Sequence, residues 1–134
     1  MPLAKIHVLE GRYDEHRLGD VSKAIQDALI SILKIPSDDF FQIIHDLPRN
    51  RFLHTPSFLG MKYSDDFIVL EVAFISGRSK ERRLALLKEL NVRIVAGAGI
   101  SPDDLMGTGS CCILTSRDRN TVHASGPDRN ENGK

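Results

Sequence analysis

The chain has 134 residues, which is enough for one domain with a hydrophobic core. Its 18 Lys and Arg residues balance 18 Asp and Glu residues, so no basic excess favours nucleic acid or an anionic membrane as a partner. No apolar run approaches the roughly 20 residues of a membrane-spanning helix, and the amino terminus lacks the apolar stretch of a signal peptide. We therefore expect a cytoplasmic protein.

The cysteines and histidines do not form a metal-site pattern in the sequence. Cys111 and Cys112 are adjacent, which suits neither an ordinary intrachain disulfide nor the spaced ligand pairs of a zinc site. The histidines lack the short helical spacing of a metal pair and have no serine or cysteine partner motif. We predict no metal. The five histidines are His7, His16, His45, His54 and His123.

The first 45 residues follow a strand–helix–strand pattern. Residues 4–9 alternate between apolar and polar side chains, which is typical of a half-buried strand. From about Asp14, apolar residues recur every three or four positions, and this predicts a helix that ends near Lys34, ahead of Pro36. A turn then leads to a second strand at residues 40–45.

A second unit follows after a loop or small hairpin at residues 46–66. Residues 67–75 form a nearly continuous apolar run, which predicts a strand at the centre of the sheet. Gly77-Arg78-Ser79 then opens a second helix, and the glycines of residues 97–99 end it. The predicted buried face of this helix consists of Leu84, Leu87, Leu90 and Ile94.

The two units are internal repeats. Gly77-Arg78 repeats Gly11-Arg12 about 66 residues later, and Asp103-Asp104 repeats Asp38-Asp39 about 65 residues later. We predict an α+β fold in which tandem β-α-β units, residues 2–45 and 66–115, form a four-stranded mixed sheet with both helices on one face. The other face is predicted to be apolar and uncovered, which implies self-association.

The last part of the chain is weakly patterned. Residues 107–115 are predicted to form the fourth strand, although their glycines weaken it. Residues 116–134 contain almost no large apolar side chains and are predicted to form a solvated polar tail. The predicted domain therefore spans residues 1–115.

Pro2 is a candidate catalytic group. Proline is small enough for routine removal of Met1, and the product is a free secondary amine. An unperturbed terminal amine titrates near pH 8, so either of its charge states is reachable at neutral pH. The neutral amine can move a proton alpha to a carbonyl group, and the ammonium can polarise a carbonyl group during decarboxylation or hydration. Many proteins begin with Met-Pro for no catalytic reason, so the context has to decide.

Arg78 and the Asp38-Asp39 pair are the other candidates. Arg78 is expected at the start of the second helix, where unpaired backbone N–H groups and the helix dipole favour an anion such as a substrate carboxylate. It could instead pair with an acidic loop residue, with Ser79 acting only as the helix cap. Asp38 or Asp39 could act as a general acid or orient a water, but aspartate in such a turn is also ordinary loop chemistry.

The segments M-P-L-A-K-I, I-P-S-D-D-F-F-Q-I-I-H and S-G-R-S-K-E-R-R together resemble the tautomerase superfamily, in its malonate semialdehyde decarboxylase-like branch. The resemblance covers residues 2 to about 106. It implies that Pro2 is the catalytic amine, that Arg78 binds the substrate carboxylate and that Asp39 assists. It also implies a homotrimer. Decarboxylating relatives carry a second arginine where this chain has Lys80, which keeps the charge but loses the bidentate geometry.

The chain departs from the resemblance after Met106, where relatives carry a strand ending in an asparagine or tryptophan followed by Ser-Phe-Gly. The leading functional prediction is a cofactor-free tautomerase that moves a proton on a small 2-oxo or enol carboxylic acid. The first alternative is a lyase or hydratase that acts on a 3-oxo acid such as malonate semialdehyde with cationic Pro2. The second is a non-catalytic trimeric binding protein of the same fold.

Overall fold

The computed structural model describes residues 2–74 and 77–110. Two strand–helix–strand units are joined by a segment that contains a short hairpin. In chain order the elements are β1 (Leu3–Leu9), α1 (Glu15–Leu33), β2 (Gln42–Leu47), β3 (Ser57–Phe58), β4 (Met61–Lys62), β5 (Ile68–Ala73), α2 (Lys80–Ala98) and β6 (Leu105–Ser110).

The four longer strands form one mixed sheet in the order β2-β1-β5-β6. Strand β1 runs parallel to β2, β5 runs parallel to β6, and the two central strands are antiparallel to each other. The helices pack against each other and share one core with buried residues of β1 and β5. This arrangement confirms the predicted fold class, with two β-α-β units side by side and both helices on one face.

The ends of α1 are set by its capping residues. The Asp14 carboxylate accepts a hydrogen bond from the Arg17 N–H at 2.7 Å, which caps the amino terminus. Lys34 ends the helix in the left-handed conformation, with φ of 59°, and its N–H donates to the Ile30 carbonyl. Both predicted helix ends are confirmed.

The buried face of α2 differs from the prediction. Its buried residues are spaced by four and are Leu86, Leu90, Ile94 and Ala98. Leu84, which was predicted to be buried, is 55% exposed. Both sets contain Leu90 and Ile94, so helical spacing alone could not choose between Leu84 and Leu86, which lie about 200° apart around the helix. Packing against α1 and the sheet selects Leu86.

The sheet face opposite the helices is only partly the apolar surface that we predicted, since Ile43 and Met106 are exposed beside polar residues. Strand residues alternate between the two faces, so the inward side chains of β1 alternate with partly exposed Lys5 and His7. Lys5 is paired with Glu71, and His7 is paired with His45. These four residues form a polar patch in the middle of the face. The exposed apolar side chain of Ile43 lies beside this patch.

Strand β6 confirms the predicted fourth strand but begins at Leu105, before the predicted residue 107. The remainder of that strand, Cys111, Cys112 and the predicted tail all lie outside the described residues, as do Met1 and Ile75. Neither α-helix in the described part of the chain combines the length and the apolar composition needed to cross a membrane.

Candidate active site

One end of the sheet gathers all the sequence-predicted site residues. Strand β1 begins at this end, and β2 begins there too because the two strands are parallel. Strand β5 ends there because it is antiparallel to β1. The topology therefore brings together Pro2, the turn at residues 36–41, and the β5–α2 connection that carries Arg78.

Pro2 is held between two strands. It is buried and directly precedes β1. On one side, Leu3 is paired with Ala73, which sets Pro2 opposite Phe74 at the end of β5. On the other side, the Ala4 N–H donates a hydrogen bond of 3.1 Å to the Phe41 carbonyl. Pro2 is therefore held at the tip of β1.

Phe74, directly after β5, contacts Arg78. The Phe74 side chain is 1% exposed, and the guanidinium carbon of Arg78 lies 5.8 Å from the centroid of its ring. This distance is within the range of a cation–π contact. Between them the chain turns at Gly77, whose φ of 117° is strained for any residue with a Cβ atom. Arg78 is therefore placed by a buried aromatic ring and by a glycine turn.

The start of α2 adds an anion-binding environment. Ser79 caps the helix by accepting a hydrogen bond from the Arg82 N–H at 3.1 Å. The free amide groups of the first turn and the helix dipole favour a negative charge beside Arg78. Arg83 donates a hydrogen bond of 2.9 Å from Nη1 to the Arg78 carbonyl, which ties this turn back to the connection. Lys80, the first helical residue, is exposed.

Asp39 is positioned by α1. Its N–H donates to the Pro36 carbonyl at 3.1 Å, and its carbonyl accepts a hydrogen bond of 3.0 Å from the Gln26 side chain. Its side chain is partly buried. These contacts fix the turn at the end of the sheet where β1 begins, so Asp39 lies at the same end as Pro2.

Sequence reasoning missed the three residues that hold this site together, which are Phe74, Arg83 and Gln26. Phe74 reads as part of an apolar strand, and Arg83 as one of several cations in a helix. Gln26 is on a helix that carries no motif. Only the fold brings each of them to a predicted site residue, so the sequence contained no local signal for them.

At the opposite end of the sheet, the residues that correspond to Arg78 and Asp39 in the repeat make contacts within the chain. Arg12, the counterpart of Arg78, binds the Asp66 carboxylate through Nε at 3.2 Å and Nη2 at 3.1 Å. Asp104, the counterpart of Asp39, is 4% exposed and accepts hydrogen bonds from the Ser64 N–H at 2.7 Å and the Ser64 hydroxyl group at 2.6 Å. Both groups are engaged by neighbours in the same chain.

Aromatic side chains fill the space beside that end. The rings of Phe52, His54, Tyr63 and Phe67 pack with centroid separations of 4.5 to 5.9 Å. A cavity of about 370 Å³ lies against this cluster and is bordered by an ion pair between Arg49 and Asp65. The hydrogen bond from Arg49 holds the pKa of the Asp65 carboxyl group below its usual range.

Two family models that are both described as tautomerase enzyme match the sequence, one over residues 38–108 and the other over residues 2–60. The first spans more than half of the 134 residues. The chain belongs to the tautomerase family. The resemblance that was stated from sequence segments is therefore confirmed.

Similar proteins extend this result. The probable tautomerase YusQ of Bacillus subtilis is 29% identical over 105 residues, which are 78% of this chain and 82% of that protein. A crystal structure of malonate semialdehyde decarboxylase matches with a TM-score of 0.76 and 21% identity, covering 95% of this chain and 92% of that one. A fused 4-OT described as a symmetric trimer matches with a TM-score of 0.67 and 20% identity, covering 84% and 86%.

The family and the curated relatives make this protein an enzyme of the isomerase or lyase type. At 21% and 20% identity, the two solved structures support the fold alone. The roles of Pro2, Asp39, Arg78 and Lys80 therefore stay predictions.

Proposed function

We propose that this tautomerase is a cofactor-free enzyme that moves a proton on a small 2-oxo or enol carboxylic acid, with Pro2 as the catalytic amine. The observation that carries the proposal is that the strand topology brings Pro2 and the β5–α2 connection with Arg78 to one end of the sheet. An amine and a guanidinium group at the same end of the sheet can bind the two ends of a small acid.

The proposed steps are simple. The Arg78 guanidinium group binds the substrate carboxylate, supported by the first-turn amide groups of α2. The neutral Pro2 nitrogen accepts a proton from the enol hydroxyl group and returns it to the adjacent carbon, so the substrate changes only the position of one proton and one double bond. Pro2 ends each cycle as the neutral amine.

Burial and charge favour the neutral form of Pro2. An ammonium group loses solvation at a buried position, and the Arg78 guanidinium group at the same end of the sheet disfavours a further positive charge. Asp39 acts in the opposite direction because a carboxylate stabilises an ammonium group. The proposal therefore gives Pro2 the role of a base, and the pH dependence of turnover tests this role.

The second candidate is a lyase or hydratase that uses cationic Pro2 on a 3-oxo acid such as malonate semialdehyde. It is favoured by Asp39, which Gln26 fixes at the same end of the sheet. In this mechanism Asp39 stabilises the ammonium group, which polarises the substrate carbonyl while carbon dioxide leaves or water adds. Lys80 weakens this candidate, since it is exposed and cannot form a bidentate contact.

An ultraviolet assay with enol acids and with malonate semialdehyde tests the proposal, using untagged protein whose loss of Met1 is confirmed by mass spectrometry. We expect ketonisation of enol acids, with kcat/KM rising as an amine deprotonates. Decarboxylation that is lost as the amine deprotonates would instead establish the lyase. Absence of turnover on every substrate, with Met1 removed, would refute both candidates and favour a non-catalytic binding protein.

We also propose a homotrimer and keep the cytoplasm as the expected location. The edge strand β2 exposes Ile43 and its flanking residue Phe41, and a structural neighbour is described as a symmetric trimer. Sedimentation at micromolar concentration should show a single trimeric species. A purely monomeric species would refute this proposal.

A further inference from the structure

The open face of the sheet carries a chain of hydrogen bonds across three strands. Nδ1 of His45, on β2, lies 3.1 Å from Nδ1 of His7, on β1. Nε2 of His7 lies 2.7 Å from Oε2 of Glu71, on β5. The two histidines are direct partners in the parallel register, and their ring centroids are 4.8 Å apart.

Glu71 determines how His7 presents its nitrogens. An ionised carboxylate only accepts hydrogen bonds, so Nε2 of His7 carries the proton in that contact. In neutral His7 this leaves a lone pair on Nδ1, the atom that faces His45. His45 then donates its Nδ1 proton to His7. The pair is thus arranged as one lone pair and one exchangeable proton between two imidazole rings.

This is the arrangement of a metal ligand with its supporting carboxylate. Histidine ligands of metal ions usually donate their second ring N–H to a carboxylate, which fixes the tautomer and makes the ligand more basic. Two nitrogens 3.1 Å apart, each bonded to one ion at about 2.0 to 2.1 Å, would subtend an angle of about 100° at that ion. Tetrahedral and square-planar ions both accept such an angle.

We propose that His7 and His45 bind one divalent transition-metal ion of the copper, nickel and zinc group through their Nδ1 atoms, with Glu71 orienting His7. Imidazole nitrogen suits these ions, whereas magnesium and calcium prefer oxygen ligands. On binding, the His45 proton moves from Nδ1 to Nε2 through solvent. The neutral pair therefore gains an ion without a net release of protons.

The surroundings of the two histidines determine how tightly the ion is bound. Within the described ranges, no group of three or more His, Cys, Asp or Glu residues is placed to hold a single ion, so solvent supplies the remaining ligands. The His7 side chain is 19% exposed, which leaves room for such ligands. Lys5, the pairing partner of Glu71, adds a positive charge nearby. We therefore expect an exchangeable ion.

The site is separate from the candidate active site. His7 lies five residues along β1 from Pro2, which corresponds to about 17 Å of extended chain. Its side chain also lies on the face of the sheet away from the helices. Loss of the ion should therefore leave the proposed proton transfer unchanged, and the two proposals can fail independently.

Calorimetric titration of untagged protein with Cu²⁺ and, separately, with Zn²⁺ tests the proposal. We expect one ion per chain, loss of that binding in His7→Gln and in His45→Gln, and affinity lower by about 10- to 100-fold in Glu71→Gln. His16→Gln is the matched control, because His16 is a highly exposed histidine on α1, and it should bind as the wild type does. Thermal melts establish that each variant folds.

Cys111 and Cys112 are the main competing ligands, so the titration is repeated with Cys111→Ser/Cys112→Ser. Retained stoichiometry in this variant supports the histidine site, as does hyperfine splitting from two nitrogens in the Cu²⁺ electron paramagnetic resonance spectrum. The proposal is overturned if the wild type binds no ion, if His7→Gln and His45→Gln bind as tightly as the wild type, or if the cysteine substitutions abolish binding.

Discussion

The two ends of the sheet are built from the same repeat, yet their corresponding residues make different contacts. At the first end, Pro2 precedes β1 and Arg78 lies over Phe74. At the second end, Phe67 precedes β5 as Pro2 precedes β1, but its nitrogen is an amide within the chain and has no basic lone pair. Arg12 already forms an ion pair with Asp66.

The two ends share the same elements of structure but differ in what their charged side chains contact. Both ends have a helix amino terminus, an arginine before the helix and an aspartate in a turn. The second end places its own carboxylate, Asp66, on the arginine where a substrate carboxylate would otherwise bind. Its aspartate, Asp104, is buried and accepts a hydrogen bond from the Ser64 hydroxyl group. The repeated unit therefore keeps the same framework at both ends, and we propose that the free terminus makes only the first end catalytic.

Replacement of Pro2 should have the largest effect. Pro2→Ala leaves a primary amine of different basicity and rigidity, so we expect kcat/KM to fall by about 10²- to 10⁴-fold, as is typical for loss of a general acid or base. Steady-state kinetics measure the loss, and a thermal melt within a few degrees of the wild type excludes unfolding. The equivalent change at the second end, Phe67→Leu, should leave the kinetics unaltered. Normal turnover by Pro2→Ala would contradict the assigned difference between the ends.

Replacement of Arg78 should weaken substrate binding, whereas replacement of Arg12 should lower stability. Arg78→Ala should raise KM for carboxylate substrates by about 10- to 100-fold, because a charged hydrogen-bonded contact is lost, and Arg78→Lys should recover only part of it. Arg12→Ala should instead lower the free energy of unfolding by up to about 1 kcal/mol, since its partner is partly exposed. Equal kinetics for wild type and Arg78→Ala would place the carboxylate elsewhere, with Arg83 or Lys80 as the next residue to replace.

Asp104 should matter for stability rather than for turnover. Asp104→Ala removes two hydrogen bonds at a residue that is 4% exposed, so we expect the free energy of unfolding to fall by about 1 to 3 kcal/mol. Chemical denaturation measures this change. Asp39→Ala, at the repeat-related position, should change the pH profile of turnover while stability changes less. If the two substitutions act alike on both quantities, the proposed division of roles is wrong.

Tyr13 should produce the smallest effect, and only in alkali. Burial, with the nearby Asp66 carboxylate, raises the pKa of Tyr13 well above its ordinary value of 10.0. The folded protein therefore resists ionisation that the unfolded chain undergoes, so the contribution of Tyr13 to stability should be constant below pH 10 and decline as pH rises above it. Tyr13→Phe should lack this decline, although it loses the hydrogen bond to the Asp66 carbonyl. The same alkaline slope in both proteins would exclude Tyr13 as its cause.

Much of the fold was predictable because its signals are local. The caps at Asp14 and Ser79 and the repeated Gly-Arg pairs fixed the order of the elements. The buried face of α2 was not predictable, because a three-residue spacing from Leu84 and a four-residue spacing from Leu86 both lead to Leu90. The open face was predicted only in part, because His45 and Glu71 are brought beside His7 only by the strand register.

The candidate site was predictable to the extent that it resembles a family motif. Pro2, Asp39, Arg78 and Lys80 came from matching segments, and the fold brings them to one end of the sheet. Phe74 and Arg83 hold Arg78 in place, but they contact it only because the chain turns at Gly77. Such contacts depend on the path of the backbone, which residue spacing does not encode.

The most direct test of the central claim is to block the Pro2 nitrogen while leaving every side chain in place. A variant with one retained residue before Pro2, verified by intact mass, converts the amine into an amide that has no basic lone pair. We predict that turnover of enol acids disappears, with thermal stability close to that of the processed protein. Normal turnover by this blocked protein would contradict the claim that catalysis depends on the free amine at this end of the sheet.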